Sequence, residues 1–245
     1  MVRPLRWMRP RSPTKTRREI AVALRNRPVL VLSNNDGCVV ARSNEVKALG
    51  IKMGTPLFKI RHLVEQHGIH VFSSNYALYA DVSNRVMHAL SDYSPQLEIY
   101  SIDEAWLSLT HVEQAHLRDY GHLIRNTVLQ RVGIPVSVGI ASTKTLSKIA
   151  TEIVKKHAEY LGVLDLVSLS GEDLDLYLAS VPIEDVWGIG PQYARILHEQ
   201  HRIITARHLK YADQDWIRKH LTVFYNRHSF PESRHKQAPT LVTSA

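Results

Sequence analysis

Leu97-Glu98-Ile99-Tyr100-Ser101-Ile102-Asp103-Glu104-Ala105-Trp106-Leu107-Ser108-Leu109 is apolar and β-prone on both sides of two adjacent acids. That pattern predicts a hairpin with Asp103 and Glu104 at its tip. Neighbours on a regular strand point to opposite faces, so only a turn or a strand end lets both carboxylates reach one site. A carboxylate among apolar residues is costly to bury without a partner. Two readings follow. Hard oxygen donors so placed suit Mg²⁺, which takes one or two protein carboxylates and completes its shell with phosphates and water. The other reading is a solvated hairpin tip.

Upstream of the hairpin the chain is built from short, punctuated elements. Val29-Leu30-Val31-Leu32 reads as a buried strand ended by Asn34-Asn35-Asp36-Gly37, a turn cluster in which Asp-Gly accepts positive φ. Ser43 to Leu49 reads as a short helix stopped by Gly50, and Leu57 to His67 as another, after the break Met53-Gly54-Thr55-Pro56. A strand at His70-Val71-Phe72 and a helix from Tyr76 to Ser91 follow. Downstream, a helix is expected over Glu113 to Gln130 and a strand over Pro135 to Ile140. Ser142 is expected to cap a helix reaching Lys156. Strands and helices interleave, which is the signature of an α+β domain. Beyond Val163-Leu164-Asp165-Leu166 the pattern is wholly helical, near 172–180, 191–200 and 213–221, with a boundary near residue 168. The end, 226–245, is rich in Ser, Pro, His and Thr and is expected to be disordered.

The chain has 245 residues, 44% hydrophobic and 22% charged, which is enough for a sizeable core and excludes a collagen-like or wholly disordered chain. No stretch of 18 apolar residues exists, and the arginine-rich start lacks the features of a secretory signal. A soluble, cytoplasmic protein is expected. The single cysteine, Cys38, excludes an intramolecular disulfide and a thiolate zinc cage, and it reads as a small core residue. Fourteen histidines fall at spacings that match no zinc site. The net charge of +8 is badly skewed. Residues 1–27 hold nine basic side chains against Glu19 alone, while the remaining 218 carry 22 basic and 22 acidic groups. Any polyanion binding by the folded body therefore depends on where its lysines stand and not on bulk charge. The basic start itself reads as a disordered, solvated arm.

Two further features carry chemistry. On the helix after Ser142, a turn of 100° per residue places Lys144, Lys148, Thr151 and Lys155 within about 60° of one another. Leu146, Ile149, Ala150, Ile153 and Val154 cover the opposite side. Beside a metal, such a stripe would neutralise a triphosphate. Otherwise it is a solvated face. Arg42 and Lys47 are further phosphate candidates, with solvation again the alternative. The second feature is Pro182-Ile183-Glu184-Asp185-Val186-Trp187-Gly188-Ile189-Gly190-Pro191, a glycine-hydrophobic-glycine turn between helices. Its small residues let backbone amides approach a phosphate at a helix start, in a helix-hairpin-helix pattern. A contact of that kind reads the DNA backbone and not its sequence. A tight interhelical turn is the plainer alternative.

Taken together, four stretches resemble the Y-family (DinB/UmuC) translesion DNA polymerases, in particular the UmuC-type catalytic subunits of DNA polymerase V. They are Val31 to Arg42, Phe72-Ser73-Ser74-Asn75-Tyr76 with Tyr79 to Met87, Glu98 to Ala105, and Asp185 to Gly190. The similarity spans about residues 24–222. It implies an α+β polymerase palm with small fingers and an all-helical thumb containing the helix-hairpin-helix. Residues 28–74 would be fingers, 75–165 palm and 166–222 thumb, between a basic start, 1–27, and a disordered tail, 223–245. By the resemblance Asp103 and Glu104 hold catalytic Mg²⁺, Lys47 and Lys155, with Arg42, contact the incoming triphosphate, and Gly188, Ile189 and Gly190 grip duplex DNA. The partners it implies are primer-template DNA, dNTP, a UmuD-type dimer and RecA in the SOS response, with no membrane.

The family's palm opens with a strand bearing an Asp-x-Asn-x-Phe-Tyr type motif, which supplies another metal-binding aspartate and an aromatic gate against ribonucleotides. No such motif occurs here, where the only acid before Asp36 is Glu19. The C-terminal little-finger domain and the clamp-binding segment are also without counterparts. The expectation is a UmuC-like chain truncated at both ends, with impaired nucleotidyl transfer. The alternatives are a non-catalytic DNA- or partner-binding remnant and a reading frame without a role. Lacking its first strand, the sheet is expected to have a gap, for which Glu19-Ile20-Ala21-Val22-Ala23-Leu24 is the nearest substitute.

Overall fold

The structure is a computed structural model, and it describes Leu24 and residues 26–213, 216–217 and 239–244. The expectations for the basic start fall outside these residues save for Leu24, Asn26 and Arg27, and so do those for the substitute strand save for Leu24. Of the helix expected over 213–221, only Asp213, Trp216 and Ile217 are described, the last two as helical.

The described chain forms two compact units. Of the described residues, the first holds those from Leu24 to His88 and from Leu129 to Ile134, and the second those from Ala89 to Val128 and from Pro135 to Ser244. The division does not coincide with the boundaries expected at residues 74 and 165.

In the first unit, β1 (Val29–Leu32) is the central strand of a three-stranded sheet, antiparallel to β2 (Val39–Arg42) and parallel to β3 (His70–Ser73). Four consecutive buried residues suit a central strand covered on both faces. Asp36 takes the left-handed conformation at φ 55 in the β1–β2 turn, as the Asp-Gly pair predicts. Its carboxylate accepts a 3.0 Å hydrogen bond from Ser73 Oγ, tying the turn to the end of β3. The short α1 (Asn44–Ala48) contributes Val46, and the residues flanking it and α2 (Arg61–His67), the latter closed by Gly68, contribute Ile51, Ile60 and Ile69 to a core with Leu30, Leu32 and Val39. Cys38 is half-buried beside this core. The long α3 runs Tyr76–Ser91, as read from the sequence.

The second unit is built on a five-stranded sheet. β4 (Leu97–Ile99) and β5 (Glu104–Ser108) form the expected hairpin, and β6 (Ser137–Ala141) pairs in parallel with β7 (Val163–Asp165). Between β5 and β6 lies β8 (Thr240–Ser244), antiparallel to both, with Ser244 opposite Glu104 on one side and Ser137 on the other. Two expectations are corrected here. The tail over 223–245 is not disordered throughout, because 240–244 is a strand. The sheet has no gap between β5 and β6, because that strand fills it. The physical reason is legible in Thr-Leu-Val-Thr-Ser, a run of β-formers behind Pro239 whose Leu241, Val242 and Thr243 are almost wholly buried. The unpaired backbone of two neighbouring strands supplies the driving force for its insertion.

α4 (Leu117–Val132) and α5 (Lys144–Lys156) flank this sheet, α5 packing directly on β6, β7 and β8. Gly139 of β6 permits the close approach of α5: a Cβ there would stand 2.7 Å from Thr151 N and closer still to the Ser147 carbonyl oxygen. The cap of α5 is Thr143 and not Ser142, its Oγ1 accepting from Leu146 N at 3.2 Å. Thr143 is the residue in extended conformation at φ −138, which the capping position requires. The apolar side of α5 shares one core with α6 (Gly171–Ala179), α7 (Pro191–His201) and α8 (Ala206–Lys210) through Leu178, Ile183, Leu197 and Leu209. α8 has no counterpart in the sequence reading.

Candidate active site

The β4–β5 hairpin closes through the Glu104 carbonyl oxygen, which accepts from Tyr100 N at 3.0 Å and Ser101 N at 3.1 Å. Asp103 sits in the turn and Glu104 is the first residue of β5, which is the strand-end arrangement that two adjacent carboxylates need to share a site. Ser101 Oγ donates to Asp103 Oδ1 at 2.7 Å and orients it.

Glu104 is not at a solvated tip. Its side chain is 12% exposed, and Oε2 pairs with Lys148 Nζ of α5 at 2.6 Å. Lys148 itself is 9% exposed and lies over three rings: Tyr100 at 4.9 Å, Trp106 at 5.7 Å and Trp187 at 5.3 Å. The rings also touch one another, with centroids 4.7 Å apart for Tyr100–Trp106, 5.2 Å for Trp106–Trp187 and 5.8 Å for Tyr100–Trp187. The lysine stripe on α5 is therefore not a solvated face. Lys144 stands over Trp106 at 4.7 Å and pairs with Glu98 at 2.5 Å. Lys155 pairs with Glu152 at 2.9 Å, with its side chain 13% exposed.

The electrostatics follow from this burial. Desolvation pushes the Glu104 carboxyl above its ordinary value, the neighbouring Asp103 adding to the effect and the Lys148 charge and hydrogen bond opposing it. Burial equally pushes the Lys148 ammonium down, against the pull of Glu104. Each member of the pair makes the charge of the other tolerable.

The segment Pro182–Pro191 lies in the same unit. Gly188 adopts φ +89, a conformation that side chains resist, and Gly190 precedes Pro191 at the first position of α7. A Cβ on Gly190 would meet nothing within 4 Å, so its backbone faces open space. Trp187 turns inward onto the Lys148 cage, while Lys156 of α5 binds Asp185 at 3.1 Å.

Of the residues singled out from sequence, Asp103, Glu104, Lys155 and Gly188 to Gly190 thus belong to the second unit, and Arg42 and Lys47 to the first. Arg42 spends Nη1 on the Ile51 carbonyl oxygen, and Lys47 binds Asn44 Oδ1 at 3.2 Å. Sequence reasoning missed the individual place of Lys148 and the aromatic cage. Trp106 and Trp187 were visible only as apolar residues in two unrelated stretches.

Hard oxygen donors from two carboxylates fit Mg²⁺ of the kind completed by phosphate and water. Among the described residues no group of three or more His, Cys, Asp or Glu could hold a metal ion. Beside Glu104 the strand β8 presents Thr-Leu-Val-Thr-Ser, with no acid.

The fold is similar to that of solved Y-family DNA polymerases. A Y-family DNA polymerase chimera built on Dbh matches at TM-score 0.71 over 91% of this chain and 67% of its own, at 23% identity. The insertion ternary complex of Dbh DNA polymerase matches at TM-score 0.69 over 84% and 60%, at 24% identity. At these identities the likeness establishes the fold. The family model described as impB/mucB/samB matches residues 15–152, more than half of the sequence, and the chain belongs to that family. It is 48% identical over 203 residues to Protein UmuC of Salmonella typhimurium, covering 82% of this chain and 47% of that protein. It is 38% identical over 205 residues to Protein MucB of Escherichia coli, covering 83% and 48%. DNA polymerase IV 2 of Mesorhizobium japonicum is 34% identical over 172 residues, covering 69% and 38%. The chain spans about half the length of the UmuC and MucB relatives.

Proposed function

We propose that this chain carries the core of an error-prone, template-directed translesion DNA polymerase, with residues 28–74 as fingers, 75–165 as palm and 166–222 as thumb. The observation that carries the reading is the carboxylate pair at the β4–β5 hairpin, set beneath the basic side of α5. Asp103 and Glu104 would hold Mg²⁺, which when bound stabilises the attacking 3′-hydroxyl and the leaving oxygen of an in-line phosphoryl transfer. Lys155 would contact the triphosphate of the incoming dNTP, a role that the family resemblance also gives to Lys47 and Arg42. The turn Gly188, Ile189 and Gly190, open at Gly190, would serve as a helix-hairpin-helix contact to the phosphates of primer-template DNA. A cytoplasmic setting, a UmuD-type dimer and RecA in the SOS response complete the reading by family resemblance. No described helix is long and apolar enough to cross a membrane.

Activity is proposed to be weak. A two-metal transfer needs ligands that fix both ions about 4 Å apart, and the strand adjoining Glu104 supplies no further carboxylate. Primer extension by the purified chain with Mg²⁺ and dNTPs is the test. Slow extension, abolished by Asp103→Ala, is the expected result. Extension indifferent to Asp103→Ala sinks the metal assignment. Primer-template binding without extension favours the second reading, a DNA-binding remnant of such a polymerase, which the acid-free β8 supports.

A further inference from the structure

We propose that Lys148 is a resident counter-ion for Asp103 and Glu104, keeping free divalent cations off the pair so that a cation enters only together with a nucleoside triphosphate. This rests on the reading of those carboxylates as a metal site. Three observations support it. First, Lys148 spends its charge on Glu104 Oε2 at 2.6 Å, whereas Lys144 and Lys155 of the same helix pair with Glu98 and Glu152. Second, the ammonium is held from three directions by ring faces that belong to the hairpin turn (Tyr100), to β5 (Trp106) and to the segment before α7 (Trp187). Cation–π attraction in a site this enclosed favours a fixed cation over a mobile one. Third, Oε2 of Glu104 is taken by Lys148 and Oδ1 of Asp103 accepts from Ser101, so among the described residues one oxygen of each carboxylate remains to receive a cation.

The charge balance then decides how a cation arrives. Alone, the two carboxylates carry −2; with Lys148 they carry −1. Mg²⁺ parts reluctantly with its water, and a site at −1 offers a bare ion little in return. A triphosphate brings negative charge and oxygen ligands of its own, so the cation reaches the pair already coordinated. Lys148 is a positioning residue in this scheme: it acts through Glu104, fixing which oxygen is presented.

The test is Mn²⁺ binding to the full chain, followed by electron paramagnetic resonance of the free ion, with and without dATP. The fluorescence of Trp106 and Trp187 serves as a second readout of whether the ammonium leaves its cage. Wild type is expected to bind Mn²⁺ weakly alone and at least tenfold more tightly with dATP. Lys148→Met, which keeps the aliphatic stem, is expected to bind Mn²⁺ alone at least tenfold more tightly than wild type. Lys148→Gln keeps a hydrogen bond to Glu104 without the charge and gives the same shift should the methionine variant fold poorly. Affinities within twofold across wild type and both variants overturn the proposal. Binding to Lys148→Met or Lys148→Gln that survives Asp103→Asn with Glu104→Gln shows instead that the carboxylates are not the metal site, a failure of the underlying reading.

Discussion

Gly139 carries a steric constraint that no neighbour can relieve. Its missing side chain is where α5 rests on β6, and a methyl group there collides with backbone atoms of Ser147 and Thr151 as well as with Thr151 Oγ1, so turning a side chain away gives no relief. Overpacking of this kind costs roughly 1–3 kcal/mol. Gly139→Ala is therefore expected to lower the unfolding free energy by that amount, read as a lower urea midpoint, and an unchanged midpoint would mean that α5 stands further from the sheet. Asp175 carries a different constraint. Burial alone would push its carboxyl up, but hydrogen bonds from Lys210 Nζ at 2.8 Å and Tyr211 Oη at 2.5 Å, with the charges of Lys210 and Arg207, outweigh it and hold the carboxyl below its ordinary 3.8. A depressed folded value stabilises the protein above the unfolded value, and the gain is lost as pH falls through the folded one. Asp175→Asn should accordingly melt lower than wild type near neutrality, with the gap closing as pH falls below the ordinary carboxylate value and through the depressed folded one. A gap that is constant with pH would assign the effect to packing.

β8 is the element whose removal is expected to matter most. It is the sole link between β5 and β6 in the sheet, and Leu241 is wholly buried. Leu241→Ala is expected to cost about 2–5 kcal/mol, the usual range for a buried leucine. Its local signature is faster hydrogen exchange at Ala105 to Leu107 and Val138 to Ile140, with β1 to β3 unaffected. Exchange unchanged in β5 and β6 would show that the strand contributes no pairing. Most other elements were legible in the sequence because their signals are local: β-prone residues on both sides of Asp103-Glu104, the turn cluster Asn34 to Gly37, the glycine stop at Gly50. What was not legible is non-local. The period of α5 placed Lys148 on one face of a helix, but whether that face is wet depends on Trp187, 39 residues away in the chain. Composition hid β8 in the same manner, because Ser, His and Pro around it outweighed five β-formers whose partners lie more than 95 residues earlier. Thr143 displaced Ser142 as a cap through backbone conformation, which residue type alone does not fix.

At the scale of the whole molecule, charge is divided more sharply than structure. The net +8 belongs to residues 1–27, and the remainder is balanced. If the body binds primer-template DNA through the Gly188–Gly190 backbone, deletion of residues 1–27 should leave binding in place while flattening its salt dependence, since each neutralised phosphate contributes about −0.9 to the slope of log K against log salt. An unchanged slope would mean that lysines of the body carry the electrostatic contacts. The order of synthesis adds a consequence of its own. β6 is complete at Ala141, but the strand that separates it from β5 ends at Ser244. At about 5–20 residues per second, a ribosome needs roughly 5–20 s to make the intervening chain. For that interval two hydrogen-bonding edges of the same sheet face each other with nothing between them. The nascent chain is then most open to pairing with a foreign strand.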